Sequence, residues 1–104
     1  MPSVQGSPDA IDLAAPTHEF LKALASPTRQ RIMLLFAKGA ELSVNEVAER
    51  TGISQSTAST QLAILRRGAV VTRRRDGKTV LYRADRSGAQ AALDDLQVYL
   101  KQCC

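Results

Sequence analysis

Residues 54–67, Ser54-Gln-Ser-Thr-Ala-Ser-Thr-Gln-Leu-Ala-Ile-Leu-Arg-Arg67, read as a helix with two unlike faces. Ser54 is a natural N-cap, because its hydroxyl can accept a hydrogen bond from a free backbone N–H of the first turn. Leu62, Ile64 and Leu65 supply apolar anchors in the second half. The first half presents Gln55, Ser56, Thr57, Ser59, Thr60 and Gln61, and charge enters only at Arg66 and Arg67. The solvent face of a helix ordinarily carries charged residues. Small hydroxyls and amides near a helix N-terminus suit base edges and phosphates in a DNA major groove. A Ser/Thr-rich surface helix of no special function fits this segment alone equally well.

The flanks favour the first reading. Leu42-Ser-Val-Asn-Glu-Val-Ala-Glu-Arg-Thr-Gly52 predicts a short helix, with Ser43 as cap and Glu46 three residues later, as a capping box requires. Val44, Val47 and Ala48 form its apolar stripe, and Gly52 can take the left-handed backbone of a helix stop. Helix, tight Gly-containing turn and second polar-faced helix is the helix-turn-helix arrangement. Downstream, Val70–Arg75 and Lys78–Ala84 flank Asp76-Gly77, a strong hairpin signal. An Asp76-Gly77 turn places Val71 opposite Tyr82, Arg73 opposite Val80 and Arg75 opposite Lys78. The hairpin is then apolar at its base and cationic at its tip. The fold expected is mainly α with a small β-hairpin wing, a winged helix-turn-helix.

Several of these segments, in order and at the right spacing, resemble the ArsR/SmtB family of bacterial repressors. They are Leu24-Ala-Ser-Pro-Thr-Arg-Gln-Arg-Ile32, Glu41–Ala48, Ile53–Arg66 and Thr72–Arg83. The resemblance covers roughly residues 17–104. It implies a cytoplasmic, homodimeric repressor that binds double-stranded operator DNA and is released by a small inducer. It also implies base reading by Gln55, Ser56, Ser59 and Thr60, with Ser54 and Thr57 beside them among the DNA-binding residues. Arg66 and the wing residues Arg73, Arg74, Arg75 and Lys78 would serve the DNA backbone or minor groove. Thr60 and Gln61 depart from the commoner Gln-His pair of that family, which bears on sequence preference.

Charge distribution agrees. The net charge is +4, yet Arg66–Arg86 holds eight cations against Asp76 and Asp85, a local +6, so the remaining residues sum to −2. A basic cluster on helix and hairpin is an electrostatic footprint for phosphate, although a charge run is also the ordinary make-up of a solvated face. The 104 residues make one small domain, a size that gains from dimerisation. Residues 1–16, rich in Pro, Ser, Ala and Gly, are expected to be a flexible segment with a loose helical turn around Asp9–Ala14. Residues 17–104 form the DNA-binding and dimerisation domain. Thr17 is expected to cap a helix through about Ala25, and Pro27 to open the next, which runs to about Lys38 and stops at Gly39. A last helix is expected from Arg86 or Ser87 to about Gln102.

That last helix is rich in apolar residues. In the resembled family the first and last helices pair across the dimer axis. This assigns Phe20, Leu21, Leu24, Leu93, Leu96, Tyr99 and Leu100 to a dimer face, the alternative being that the helix closes the chain's own core. No run is apolar and long enough to span a membrane. The lone His18 has no relay partner in sequence, so the chain is not expected to be an enzyme, and no obligatory cofactor is expected.

The inducer is the open part. Where the family commonly carries a Cys-Val-Cys metal site, this chain has Ser43 and Asn45, and Asp94 and Asp95 on the last helix have no histidine beside them. Cys103-Cys104 remain. Leu96-Gln-Val-Tyr-Leu-Lys-Gln-Cys-Cys104 resembles the tail of a subgroup of arsenic-responsive repressors, which use a vicinal pair and a third cysteine further on. Trivalent arsenic suits soft thiolate ligands. With two cysteines, glutathione would supply a third thiol, or an organoarsenical would need only two. A redox or persulfide sensor and a ligand-independent DNA-binding dimer are the alternatives. Leu34 stands where related thiol sensors carry a second-helix cysteine.

Overall fold

The computed structural model describes residues 12–104, so most of the expected N-terminal segment lies outside the described residues. Asp12–Ala14 are not helical. Five helices and one hairpin follow: α1 (Ala15–Leu24), α2 (Pro27–Leu34), α3 (Val44–Thr51), α4 (Gln55–Arg67), β1 (Val71–Asp76), β2 (Thr79–Ala84) and α5 (Arg86–Cys103). A 3-10 turn over Ala37–Gly39 links α2 to α3. Among the described residues no helix is long and apolar enough to cross a membrane.

Local signals explain most boundaries. The Ser26 hydroxyl accepts from Arg29 N to cap α2. Ser43 and Glu46 form the full capping box of α3: Glu46 N donates to Ser43 Oγ at 3.2 Å and Ser43 N to Glu46 Oε1 at 2.8 Å. Gly52, at φ 76°, ends α3 in the left-handed region. The Ser54 hydroxyl accepts from Thr57 N at 3.1 Å. Asp85 caps α5 by accepting from Gly88 N. Helix α2 stops short of Lys38: regular helix ends at Leu34, and Lys38 and Gly39 turn left-handed at φ 62° and 78°.

Three expectations are corrected. Thr17 does not cap α1. It lies inside the helix, is buried, and donates from Oγ1 to Asp95 Oδ2 on α5 at 2.6 Å. Asp95 also accepts from Ala14 N at 3.1 Å, so a carboxylate from α5 caps α1 across the helix pair. The hairpin is displaced by two residues: Val71 pairs with Ala84, Arg73 with Tyr82, and Asp76 with Thr79. Gly77 and Lys78 are the central turn residues, and only Gly77 has positive φ, at 67°. One left-handed residue at the first central position is what a type II′ turn needs, whereas the type I′ turn expected at Asp76-Gly77 would need two. A shift of two keeps every side chain on its own face. Finally, Phe20 belongs to the chain's own core and not to an open face.

That core joins Phe20 and Ala23 of α1 to Ile32, Val47, Ala58, Leu62 and Leu65, with Val71 and Tyr82 from the hairpin base. Leu42 extends the hairpin by one residue, exchanging backbone hydrogen bonds with Tyr82 at 2.9 and 2.8 Å. The wing is thereby tied to the N-terminus of α3. Hydrogen bonds from Thr17 and then Ala14 hold the Asp95 carboxyl below its usual range. Such a group stabilises the fold above its ordinary pKa and loses that contribution as pH falls through its lowered native value. The Tm advantage of the natural chain over a Thr17→Val variant should hold from pH 8 to about pH 5, then narrow below about pH 4. Melting curves across that range check it; an advantage that does not depend on pH would show that packing alone is responsible.

Candidate nucleic-acid interface

Helix α4 has one buried stripe and a broad exposed polar face. Ala58, Leu62 and Leu65 are wholly buried, a spacing of four and three that turns one stripe inward. Gln55, Ser56, Thr57, Ser59, Thr60, Ala63, Arg66 and Arg67 are exposed on the rest of the circumference. The turn between α3 and α4 is short because Gly52 reverses the chain and Ser54 starts the next helix at once.

The exposed hydroxyls are not equivalent. Ser54 is committed to its cap and also bonds the Thr57 hydroxyl at 2.8 Å and the Ser56 hydroxyl at 3.2 Å. The Thr60 hydroxyl donates back to Ser56 O at 3.1 Å. Gln55 and Ser59 are the exposed polar side chains best placed to reach outward. Gln61, half-buried, is held by Arg29 and faces the body of the protein.

Across from α4 stands the wing. Ser59, Ala63, Arg66 and Arg67 line one side of a groove of about 490 Å³, and Arg73 and Tyr82 line the other. Three guanidinium groups share this groove with no carboxylate among its lining residues. Arg73 Nη1 lies 3.5 Å from the Tyr82 hydroxyl, at the outer limit of a hydrogen bond. Arg75 and Lys78 are exposed at the tip. The basic cluster Arg66–Arg86 includes Arg67, but neither Arg67 nor Tyr82 is among the DNA-binding residues expected from the sequence. Arg67 lies one helical turn beyond Ala63 and two beyond Ser59, so helix phase groups it with them. Tyr82 enters only because the hairpin pairs it with Arg73.

Arg74 differs from its neighbours. It projects from the opposite hairpin face and forms a two-pronged pair with Glu41, Nε to Oε2 at 2.9 Å and Nη2 to Oε1 at 2.8 Å. The Arg74 hydrogen bond holds the Glu41 carboxyl below its ordinary pKa. Exposed pairs of this kind contribute little to stability. The pair links the wing to Glu41, beside the bridge residue Leu42, and leaves the Arg74 side chain half exposed.

The expected dimer residues divide. Leu21, Leu93 and Leu100 are exposed large apolar side chains, joined by Val98. Leu96 and Tyr99 are half-buried, and Leu24 packs partly against the core. Asp94 accepts from Gln90 at 2.9 Å, and Asp95 is engaged with α1. Among the described residues no group of three or more His, Cys, Asp or Glu side chains could hold a metal ion. Cys103 and Cys104 are exposed at the end of α5 with their sulfurs 3.0 Å apart, and hydrogen bonding to Cys104 raises the Cys103 thiol pKa.

A two-helix unit with a polar reading face, followed by a cationic hairpin, defines a winged helix-turn-helix protein. A family profile described as a helix-turn-helix domain matches residues 24–74. A transcriptional repressor SmtB homologue from Synechocystis is 40% identical over 79 residues, 76% of this chain and 59% of the relative. The transcriptional activator HlyU of Vibrio cholerae is 33% identical over 98 residues, covering 90% of each chain. The solution structure of a homodimeric winged helix-turn-helix DNA-binding domain from Mycobacterium bovis superposes with a TM-score of 0.66 at 31% identity. It covers 85% of this chain and 81% of that one, and is described as a possible ArsR-family transcriptional regulator. The chain belongs to the ArsR/SmtB family.

Proposed function

We propose that this chain is a DNA-binding transcriptional regulator that acts as a homodimer in the cytoplasm, repressing until a trivalent arsenical binds Cys103 and Cys104. The observation that carries DNA binding is the groove between the polar face of α4 and the wing, with Arg66, Arg67 and Arg73 around it. Cations in a groove attract phosphate and concentrate it locally. The Synechocystis and Mycobacterium bovis relatives, described as a repressor and as a DNA-binding domain, support the same reading.

Dimerisation is supported by α5. Its second half leaves Val98 and Leu100 roughly half exposed, at 52% and 53%, and Leu93 at 52%. With Leu21 on α1 these are exposed apolar side chains, of which a second copy would cover those on its side. Burial of such area is favourable by about 25 cal/mol per Å² before the losses of association.

The thiols support the inducer. In the arsenical reaction two S–As bonds form, two As–O bonds break, and two waters leave with the thiol protons; no electron is transferred. A methylated trivalent arsenical offers two exchangeable hydroxyls, which matches two cysteines. Adjacent placement makes the second bond intramolecular. A ligand relieves repression only if it binds the DNA-incompetent state more tightly.

Fluorescence anisotropy of a duplex selected from a random pool by the chain tests this reading. Arsenite, methylated trivalent arsenical and polysulfide are added in turn. The arsenicals are expected to lower affinity by at least about fivefold, a coupling of ordinary size. Cys103→Ser and Cys104→Ser should abolish the response and leave ligand-free binding intact. A response to polysulfide alone would make the pair a redox sensor, and no response to any of the three would make the chain a ligand-independent regulator.

A further inference from the structure

One half-buried side chain links three helices. Arg29 sits in the first turn of α2. Its Nε donates to Ala23 O at 2.7 Å and its Nη2 to Lys22 O at 3.0 Å, both near the C-terminal end of α1. Its Nη1 donates to Gln61 Oε1 on α4 at 2.8 Å. Carbonyls at the end of a helix carry partial negative charge that a cation complements; Lys22 O already accepts from Ala25 N at 3.2 Å and takes the guanidinium as a second donor. The planar, permanently charged fork of arginine serves all three acceptors at once.

A separate contact reinforces this link two turns further along α4. Gly68, at the end of α4, lies so close to α1 that an added Cβ would stand 2.6 Å from Glu19 O and 2.8 Å from the Ala23 Cβ. Helices α1 and α4 are therefore held together at two levels, by backbone approach at Gly68 and by the Arg29 bridge at Gln61. Helix α1 carries the exposed Leu21 of the proposed dimer face, and α4 carries Gln55 and Ser59. A displacement between the two subunits is thus transmitted from α1 to the reading helix with little slack.

We propose that Arg29 is a positioning residue that locks the reading helix to the dimer-forming helix through Gln61, and so sets the half-site spacing the dimer accepts. This rests on the proposed dimeric, DNA-binding reading. Half-sites bound by a two-fold dimer lie about one helical turn apart or a multiple of it, and one inserted base pair both rotates and displaces the second site.

The test uses a duplex selected in vitro by the natural chain, copies of it with one or two base pairs inserted between half-sites, and an isolated half-site. The natural chain is expected to discriminate against the altered spacing by about tenfold or more. Gln61→Leu removes the acceptor without breaking the helix and should reduce that discrimination to about twofold, with half-site affinity unchanged. Arg29→Gln should do the same if it folds. Gln61→Glu keeps an acceptor and should retain the natural spacing preference, whatever it does to overall affinity. Undiminished discrimination in Gln61→Leu, or half-site affinity falling in step with full-site affinity, would overturn the role of the bridge. A natural chain that selects no duplex, or an undivided site, would instead overturn the reading beneath it.

Discussion

Leu62→Ala is expected to cost about 2–5 kcal/mol of folding stability, the range for removing a fully buried leucine and leaving a cavity. Leu62 is completely buried and belongs to the core that joins α1, α2, α3, α4 and the hairpin base. The lost atoms surrender both transfer free energy and packing contacts, and the close-packed interior refills the void only in part. For a domain this small the Tm should fall by roughly 10–20 °C. The control is Leu34→Ala. Leu34 is 77% exposed, so the same chemical change there should stay within about 0.5 kcal/mol. Chemical denaturation at fixed protein concentration separates the two, because dimerisation makes apparent stability depend on concentration. Equal losses at both positions would mean that α4 does not pack as described.

Removing Arg66, Arg67 and Arg73 together should lower DNA affinity by about a hundredfold near 0.15 M salt and reduce the slope of log K against log salt by about 2.7. Each phosphate contact releases counterions, so the loss should be nearly the same for cognate and unrelated duplexes. Gln55→Ala should behave oppositely: about 1–3 kcal/mol lost on the selected duplex, little on unrelated DNA, and an unchanged salt slope. The contrast distinguishes positioning contacts from base reading. Arg74→Ala is expected to change the salt slope less than Arg73→Ala, because the Arg74 guanidinium is paired with Glu41. A triple variant with an unaltered slope would remove the groove from the interface.

The amphipathic and capping signals of the chain were legible because each acts within one turn. Ser43 with Glu46, Gly52, Ser54 and the buried stripe of α4 all involve groups three or four residues apart, whose interactions form as soon as the local backbone does. Much of the candidate interface was legible too, since helix phase alone puts Gln55, Ser59 and Arg66 on the open side. The wing was found by its turn residues, but its register was not. Asp76-Gly77 and Gly77-Lys78 both permit a two-residue turn, and both keep Val71 and Tyr82 on the same face. The local sequence therefore contained no term that separated them. The observed register is the one in which Tyr82 both pairs with Arg73 and exchanges backbone hydrogen bonds with Leu42, forty residues earlier in the chain.

The sequence by itself determined the order of elements, the helix-turn-helix, the presence of a cationic wing and the class of partner such a surface suits, because short-range hydrogen bonding, hydrophobic period and charge density are properties of neighbouring residues. Only the tertiary structure decided which polar groups remain available. It turned Thr17 from a cap into a buried donor to Asp95, placed Phe20 in the core, occupied Arg74 with Glu41, and joined Arg29 to Gln61. Each of these depends on a partner between 32 and 78 positions away or on several helices closing together; the bonds of Arg29 to α1 span only six and seven positions, but its bond to Gln61 waits on where α4 comes to rest. A side chain's partner at such distances is set by the packing of the whole core, and no local pattern encodes it.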